Sequence, residues 1–328
     1  MPVDWSGLVR TIHAHQAFLL MTHIRPDADG LGSMLALAAG MRSLGKHVRV
    51  VIASNLPERY RFLDPDGSAV EQFHPPGDGF RNVDCVIVMD TGTWNQLGDF
   101  GPFLQSLTCT KAVIDHHRTQ DDLGGERYVD IAAEATGRLS CEVLRALDVT
   151  ITPSMANHLF MALALDTGWF RHPNTTAASY ALAAELVSLG AEPPPLYEQL
   201  FEAAPLGRLK LSGRALERLT VHPGGKIAHT EIRLSDYPDC GAVPGDTEDL
   251  INYPRAIEGV EVALVFIEQP EGGTKVSFRA RSKVDVSKVA EGFGGGGHKL
   301  ASGARVDGDL PGTKAAVLAA VESALAAV

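Results

Sequence analysis

Cysteine is scarce in this 328-residue chain, which has only Cys85, Cys109, Cys141 and Cys240. None forms a CxxC pair, so the sequence offers neither a disulfide frame nor a cysteine-rich zinc site. The four read as buried thiols of a reducing cytosol. Long apolar runs are also missing, and no stretch approaches the ~20 residues that span a bilayer. The first residues, Met1-Pro2-Val3-Asp4-Trp5, lack the basic and apolar regions of a signal peptide. A soluble, cytoplasmic protein without a membrane partner is the expectation. Basic residues fall short of acidic ones, 29 against 40, for a formal net charge of -11. Bulk electrostatics therefore oppose long DNA or RNA as a partner. A small anion stays open as a ligand if metal ions or a local basic patch supply the charge. Internal repeats and long low-complexity tracts are absent as well.

What is present is ordinary globular composition, 45% hydrophobic and 21% charged. The length suits two domains with a connector, enough to bury a large core without staples. Residues 17–22 read as a buried strand, followed by a polar loop and a helix from about Leu31 to Leu44. In that helix Leu31, Met34, Leu35, Ala38 and Met41 recur at three- and four-residue spacing. His47 to Ile52, Cys85 to Met89 and Lys111 to Ile114 read as further strands. Helices dominate from Thr136 to Leu189, with a break after Asp166. Short apolar strands alternating with helices predict an α/β fold with a largely parallel sheet flanked by helices. The stretch Gly190-Ala-Glu-Pro-Pro-Pro195 cannot continue a helix and marks a boundary. The division is therefore 1–189, a boundary and helical connector over 190–220, and a smaller α/β domain over 221–328. In the last part Lys226 to Arg233, Glu261 to Glu268 and Lys275 to Arg281 read as strands. A helix begins near Asp285, and an alanine-rich helix ends the chain.

Chemistry-bearing residues cluster at element ends, where open α/β sheets bind ligands. After the first strand comes His23-Ile-Arg-Pro-Asp27-Ala-Asp29-Gly30. One imidazole and two carboxylates there suit a divalent cation such as manganese, and Gly30-Leu-Gly32 permits close backbone approach. The alternative is a polar loop that caps the next helix, with Asp29 as N-cap. Asp90-Thr91-Gly92 ends the next apolar strand, and alone it reads equally as a turn. Asp115-His116-His117 ends another, where one histidine can ligate metal while its neighbour meets a phosphate, or both are simply solvated. Asp166-Thr167-Gly168 ends an apolar helix. As a set, these acids and histidines are enough for two metal ions sharing bridging carboxylates, an arrangement that serves phosphoryl chemistry.

Asp64-Pro-Asp-Gly67 reads as a turn, Asp121 and Asp122 as solvated, and His158 as packed within an apolar helix. Near the C-terminus, Gly294-Gly-Gly-Gly-His298-Lys299 precedes what reads as a helix start. Such glycines can turn several N–H groups toward one anion. Between Lys275 and Arg305 seven basic residues face only Asp285 and Glu291. The alternative is a flexible glycine loop beside a solvated basic face.

Over essentially its whole length the chain resembles the DHH-DHHA1 phosphoesterases, named for the Asp115-His116-His117 triplet, and among them the nanoRNases that are also pAp phosphatases. That resemblance implies a DHH domain and a DHHA1 domain across a cleft, with two manganese ions per active site. One ion would be held by His23, Asp27, Asp90 and Asp166, the other by Asp29, Asp90, His116 and Asp166. His117 would face the scissile phosphate, and Asp115 would orient a histidine. The resemblance also implies that Arg171, Arg279, Arg281, Gly295, Gly296, Gly297, His298 and Ser302 bind substrate. Short RNA, pApA or pAp would be hydrolysed; a homodimer is among the assemblies allowed. The rivals are a family II pyrophosphatase, whose second domain lacks Gly-Gly-Gly-His, and a non-catalytic nucleotide sensor, which a missing ligand residue would have favoured.

Overall fold

The structure is a computed structural model and describes residues 3–328, the side chain of His298 excepted. The chain divides between Ala203 and Ala204 into two compact units. The division falls inside the segment read as a connector. Among the described residues, no helix is long and apolar enough to cross a membrane.

The first unit is built on six strands, β1 (Ala17–Met21), β2 (His47–Ile52), β3 (Glu71–Gln72), β4 (Cys85–Met89), β5 (Thr110–Asp115) and β6 (Glu126–Val129). They form one sheet in the order β3-β2-β1-β4-β5-β6, every pair parallel. Its helices are α1 (Ser6–Ala14), α2 (Ala28–Ser43), α3 (Phe100–Ser106), α4 (Thr136–Ala146), α5 (Pro153–Asp166), α6 (Ala177–Ser188) and α7 (Pro193–Tyr197). Successive strand side chains feed opposite faces. Phe18, Leu20, Ile87 and Ile114 join the core under α2, α4 and α5, whereas Leu19, Met21, Val86, Val88 and Val113 meet Phe73, Phe100 and Phe103. Burial on both faces is why these strands read as continuous apolar runs.

Strand order reverses between β1 and β4, which opens a crevice at their carboxyl ends. The loops carrying His23 and Asp90 leave the sheet on its two sides. Helix α2 starts earlier than its apolar spacing indicates, at Ala28. Its N-cap is Asp27, not Asp29; the Asp27 carboxylate accepts from the N–H groups of Asp29 and Gly30. Gly30 and Gly32 lie inside this helix and serve packing, not ligand approach. A Cβ at Gly32 would come within 2.4 Å of the His158 carbonyl oxygen on α5, and one at Gly30 within 2.4 Å of Thr22 Oγ1. The two short edge strands β3 and β6 carry no apolar run and were not legible.

The second unit is a mixed sheet in the order β11-β12-β10-β9-β8-β7. Its strands are β7 (Thr220–Val221), β8 (Ile227–Ile232), β9 (Val262–Glu268), β10 (Thr274–Ala280), β11 (Gly296–His298) and β12 (Ala301–Val306). Only β8 and β9 pair in parallel. The helices are α8 (Leu206–Glu217), α9 (Asp236–Cys240), α10 (Asn252–Ala256), α11 (Val286–Glu291) and α12 (Leu310–Ala326). Val276, Phe278 and Ala280 face the core under α11 and α12, while Leu211, Ile232, Val265 and Ile267 pack on the other face.

One local expectation fails here, and another gains detail. The glycine run does not precede a helix; it enters β11, one arm of a hairpin with β12. Gly297 has φ +141°, and a Cβ there would lie 2.6 Å from the Ala301 carbonyl oxygen, so only glycine fits the tight hairpin. The three prolines do not merely break a helix. They open α7, with Pro193 at its first position, where a missing N–H costs nothing.

Candidate metal centre

Four chain segments bring acids and histidines to the carboxyl end of the first sheet. Asp90 follows the buried β4 and takes a left-handed backbone conformation, φ +61°. That strain costs about 1–3 kcal/mol for a non-glycine residue, and it is tolerated where the surroundings hold it. Here the Asp90 N–H donates to Ile114 O and its carboxylate is buried. The two Asp90 oxygens face different histidines. Oδ2 lies 3.5 Å from His23 Nε2, and Oδ1 lies 3.5 Å from His116 Nε2.

Around this carboxylate the donors fall into three groups, each tight enough for its atoms to share an ion: His23, Asp27 and Asp90; Asp29, His116 and Asp166; and Asp90, His116 and His117. His23 Nε2 is 3.8 Å from Asp27 Oδ1. His116 Nε2 is 3.7 Å from Asp29 Oδ2 and 3.9 Å from Asp166 Oδ2. These separations are too long for hydrogen bonds. His116 Nε2 is buried and has no hydrogen-bond partner among the described residues. An unpaired buried donor is costly, and one ringed by three carboxylates fits a divalent cation. All six residues read as ligands in the sequence are in this cluster. Asp115 is not one of the donors.

The far nitrogen of each histidine is already committed. His23 Nδ1 is 2.9 Å from Ile24 O, and His116 Nδ1 is 3.1 Å from Ala133 O. Each can donate Nδ1–H to its carbonyl, which leaves Nε2 as the ligating atom. His117 Nδ1 lies 2.7 Å from Asp115 Oδ1, and the half-exposed ring keeps its Nε2 free. Asp115 is fully buried and also accepts from the N–H groups of His116 and His117 and from Gln120 Nε2.

The sequence did not single out the supporting residues. Thr136 opens α4; its N–H donates to Asp29 Oδ2 at 2.7 Å and its hydroxyl to Asp90 Oδ1 at 3.0 Å. Gly137 N–H donates to Asp29 Oδ1 at 2.8 Å. The N-terminus of α4 thus carries Asp29, where the helix dipole favours negative charge. Asn174 donates to Asp166 Oδ2 at 3.4 Å. A threonine at a helix start gives no signal of its own, since caps are common. Asp121, read as solvated, pins the Trp94 N–H, and Asp64 caps the turn at Ala69 and Val70. His158 is packed in α5, and burial pushes it down to about 4.

The electrostatics show one sign in excess. Burial raises Asp29 well above the usual carboxylate range, and the charges of Asp90 and Asp166 add to this. Burial likewise lifts Asp166 to about 6, with His116 opposing. For His23 burial works downward, but Asp27 and Asp90 outweigh it and hold the ring at about 11. His116 stands at about 10 for the same reason, with Asp90, Asp29 and Asp166 as its partners. Asp90 is held below its ordinary value because His116 and His23 overcome burial. Among the described residues no lysine or arginine forms an ion pair with these carboxylates. The histidines stand in for a cation.

The resemblance assigns further residues to substrate. Arg171 is exposed after α5 and donates from Nε to Gly168 O at 2.8 Å. Arg279, Arg281, Gly295, Gly296, Gly297 and Ser302 are in the second unit, on β10 and the β11–β12 hairpin or beside them. The side chain of His298 lies outside the described residues. Cys85, Cys141 and Cys240 are buried free thiols, but Cys109 is only half-buried.

Comparisons with known proteins identify both domains. The N-terminal domain of the DHH family is matched over residues 17–164, and the DHHA1 domain over residues 224–327. A bifunctional oligoribonuclease and PAP phosphatase NrnA of Thermus thermophilus is 30% identical over 307 residues, 93% of this chain and 89% of that protein. An exopolyphosphatase-related protein of Bacteroides fragilis has the same fold, with a TM-score of 0.88 at 21% identity over 97% of this chain and 94% of that one. RecJ of Thermus thermophilus, solved in complex with Mn2+, superposes with a TM-score of 0.59 at 17% identity, covering 100% of this chain and 55% of RecJ. Both domain matches, in this order and with an NrnA relative along nearly the full length, show that the chain belongs to the DHH-DHHA1 family, in its NrnA-type branch.

Proposed function

We propose that this chain is a manganese-dependent phosphoesterase. It hydrolyses short oligoribonucleotides, pApA included, to nucleoside monophosphates, and it converts pAp to AMP and phosphate. The observation that carries the reading is Asp90, whose two oxygens each face a different histidine within a cluster of four carboxylates. His23, Asp27 and Asp90 would hold one cation; Asp29, His116 and Asp166 the other, with Asp90 and Asp166 shared. Imidazole nitrogen with carboxylate oxygen suits manganese. Two bound cations supply a nucleophile at neutral pH and neutralise charge at phosphorus.

The chain's own groups do the rest. Asp115 fixes the Nδ1 proton of His117, and this hydrogen bond holds the ring above its ordinary pKa. His117 Nε2–H is then available to donate to an oxygen of the scissile phosphate, as electrostatic support or as general acid. Asn174, Thr136 and the first N–H groups of α4 keep the carboxylates in place. Arg171 is a further phosphate contact in this reading. In the second unit Arg279, Arg281, Ser302, His298 and the glycines 295–297 bind the rest of the nucleotide. The net charge of -11 opposes a long polyanion and supports a preference for very short substrates.

A manganese-supplemented panel tests this: pyrophosphate, pAp, pApA, cyclic di-AMP, and RNAs from two to about twenty-four nucleotides. Efficiency should peak at two to about four nucleotides, by the charge argument. Efficiency that rises steadily with length, or turnover of pyrophosphate alone, would overturn the proposal.

A further inference from the structure

The second unit contains eight arginines. Five are paired with carboxylates: Arg208 with Asp249, Arg214 with Glu217, Arg218 with Asp236, Arg233 with Glu231, and Arg305 with Glu271. The remaining three, Arg255, Arg279 and Arg281, form no ion pair among the described residues. They also lie together. Arg281 Nη2 donates to the Arg255 carbonyl at 3.0 Å, and its Nε to the Val260 carbonyl at 3.1 Å. Glu261, beside Arg281 in the fold, is spent on the backbone: it accepts from the N–H groups of Ser282, Lys283 and Val284.

Register puts Arg279 on the face that α10 covers. Arg279 pairs with Ala263 on one side and Ala301 on the other. Alternation along β9 sets Ala263 on the same face as Val265 and Ile267, where Ile251 at the start of α10 also packs. Ala263 and Ala301 are small, and Arg279 between them is only half-buried. Among the described residues its guanidinium donates to the adjacent Phe278 carbonyl. Arg255, one turn into α10, is exposed. Burial lowers the Arg279 pKa, and the Arg255 charge lowers it further. Like charges brought to one face repel each other, a repulsion that water and salt weaken at the exposed Arg255 and that a bound anion would relieve. A phosphate accepts the planar donor forks of both.

We propose that Arg255 is a substrate-binding residue, acting with Arg279 on a phosphate of the nucleotide other than the one hydrolysed. Arg281 also braces Arg255, with its Nε and Nη2 tied to carbonyls, and keeps Nη1 for the nucleotide. This rests on the phosphoesterase reading above and adds a residue outside the basic segment 275–305. Arg255→Ala keeps the carbonyl that Arg281 uses, so the variant removes the guanidinium and not the brace.

The test compares pApA with ApA, which lacks the terminal phosphate, as manganese-dependent substrates of the full chain. Arg255→Ala should lower kcat/KM on pApA about ten- to a hundredfold, mainly through KM, as expected for a lost charge-assisted contact. Its loss on ApA should be at least about ten times smaller. Arg255→Lys should fall between, because it keeps the charge but not the fork. Arg214→Ala, which removes a surface pair, should change neither substrate. Equal losses on both dinucleotides, or no loss on pApA, would overturn the assignment of Arg255. If the unaltered protein turned over neither dinucleotide, the phosphoesterase reading would fail instead. Calorimetry with AMP would then decide the Arg255 question: binding weakened tenfold or more in Arg255→Ala supports it, and unchanged binding overturns it.

Discussion

The two units carry opposite surpluses of charge. In the first, Asp27, Asp29, Asp90 and Asp166 converge, and among the described residues only histidines pair with them. In the second, Arg255, Arg279 and Arg281 gather with no ion pair among the described residues, although the other five arginines of that unit each have one. The pairing of those five arginines sets the other three apart within the second unit, as pairing with histidines sets the four carboxylates apart within the first. In the proposed function divalent cations answer the first surplus and a substrate phosphate the second.

The comparison can be broken most severely at Asp90. Asp90→Ala removes the carboxylate common to both histidines, and activity should fall by at least about a thousandfold, the scale of electrostatic stabilisation lost at a reacting centre. Asp121→Ala, which costs one hydrogen bond to Trp94, should keep near-normal turnover. Next comes His117→Ala. Losing a positioned proton donor should reduce kcat by about 10²–10⁴ while leaving bound metal in place. Loss of metal together with activity would make His117 a ligand.

Thr136 sharpens the same side. Thr136→Val deletes the hydroxyl on Asp90 Oδ1 while keeping the N–H on Asp29. Metal affinity should drop about tenfold to a hundredfold, the usual cost of losing a group that orients a ligand. Thr136→Ser should restore it. An affinity unchanged in Thr136→Val, measured by competition with a chelating dye, would show that Asp90 is held well enough by its backbone.

The smallest effect concerns stability of the second unit. His229 is buried on β8, its Nδ1 has no partner among the described residues, and burial with the charges of His222 and Lys314 pushes it down to about 4. Its facing groups include Glu231, which opposes the shift. The folded pKa lies below the unfolded value near 6.5, so the unfolded chain binds the extra proton in between. Stability from this group is full above about pH 6.5 and is lost as pH falls toward 4, by up to about 3 kcal/mol. Denaturant melts at pH 7 and pH 5 should show that slope, and His229→Leu should flatten it. An unaltered slope would mean the ring is protonated in the fold or titrates as it does in the unfolded chain.

What the sequence shows and what it conceals follow from contact range. The apolar runs of β1, β4 and β5 announce themselves because both faces of the sheet are covered, and the acids at their ends stand out for the same reason. Edge strands β3 and β6 are short and half-solvated, so no period marks them. Asp27 rather than Asp29 as N-cap is a matter of two residues in a loop that holds both. The glycine run allowed several backbones, and pairing of Gly296 with Gly303 and His298 with Ala301 selects a hairpin over a helix start. Thr136 and Arg255 were invisible for a different reason. Thr136 reaches acids 46 and 107 positions away, and Arg255 meets Arg281, just past β10, only through tertiary packing.

In the proposed function the first unit holds two divalent cations about Asp90. Titration of metal-stripped protein with Mn2+, followed by calorimetry and by metal analysis after gel filtration, measures this directly. Two ions should bind per chain, and at most one in Asp90→Ala. A single ion in the unaltered chain, or two retained after Asp90→Ala, would contradict it.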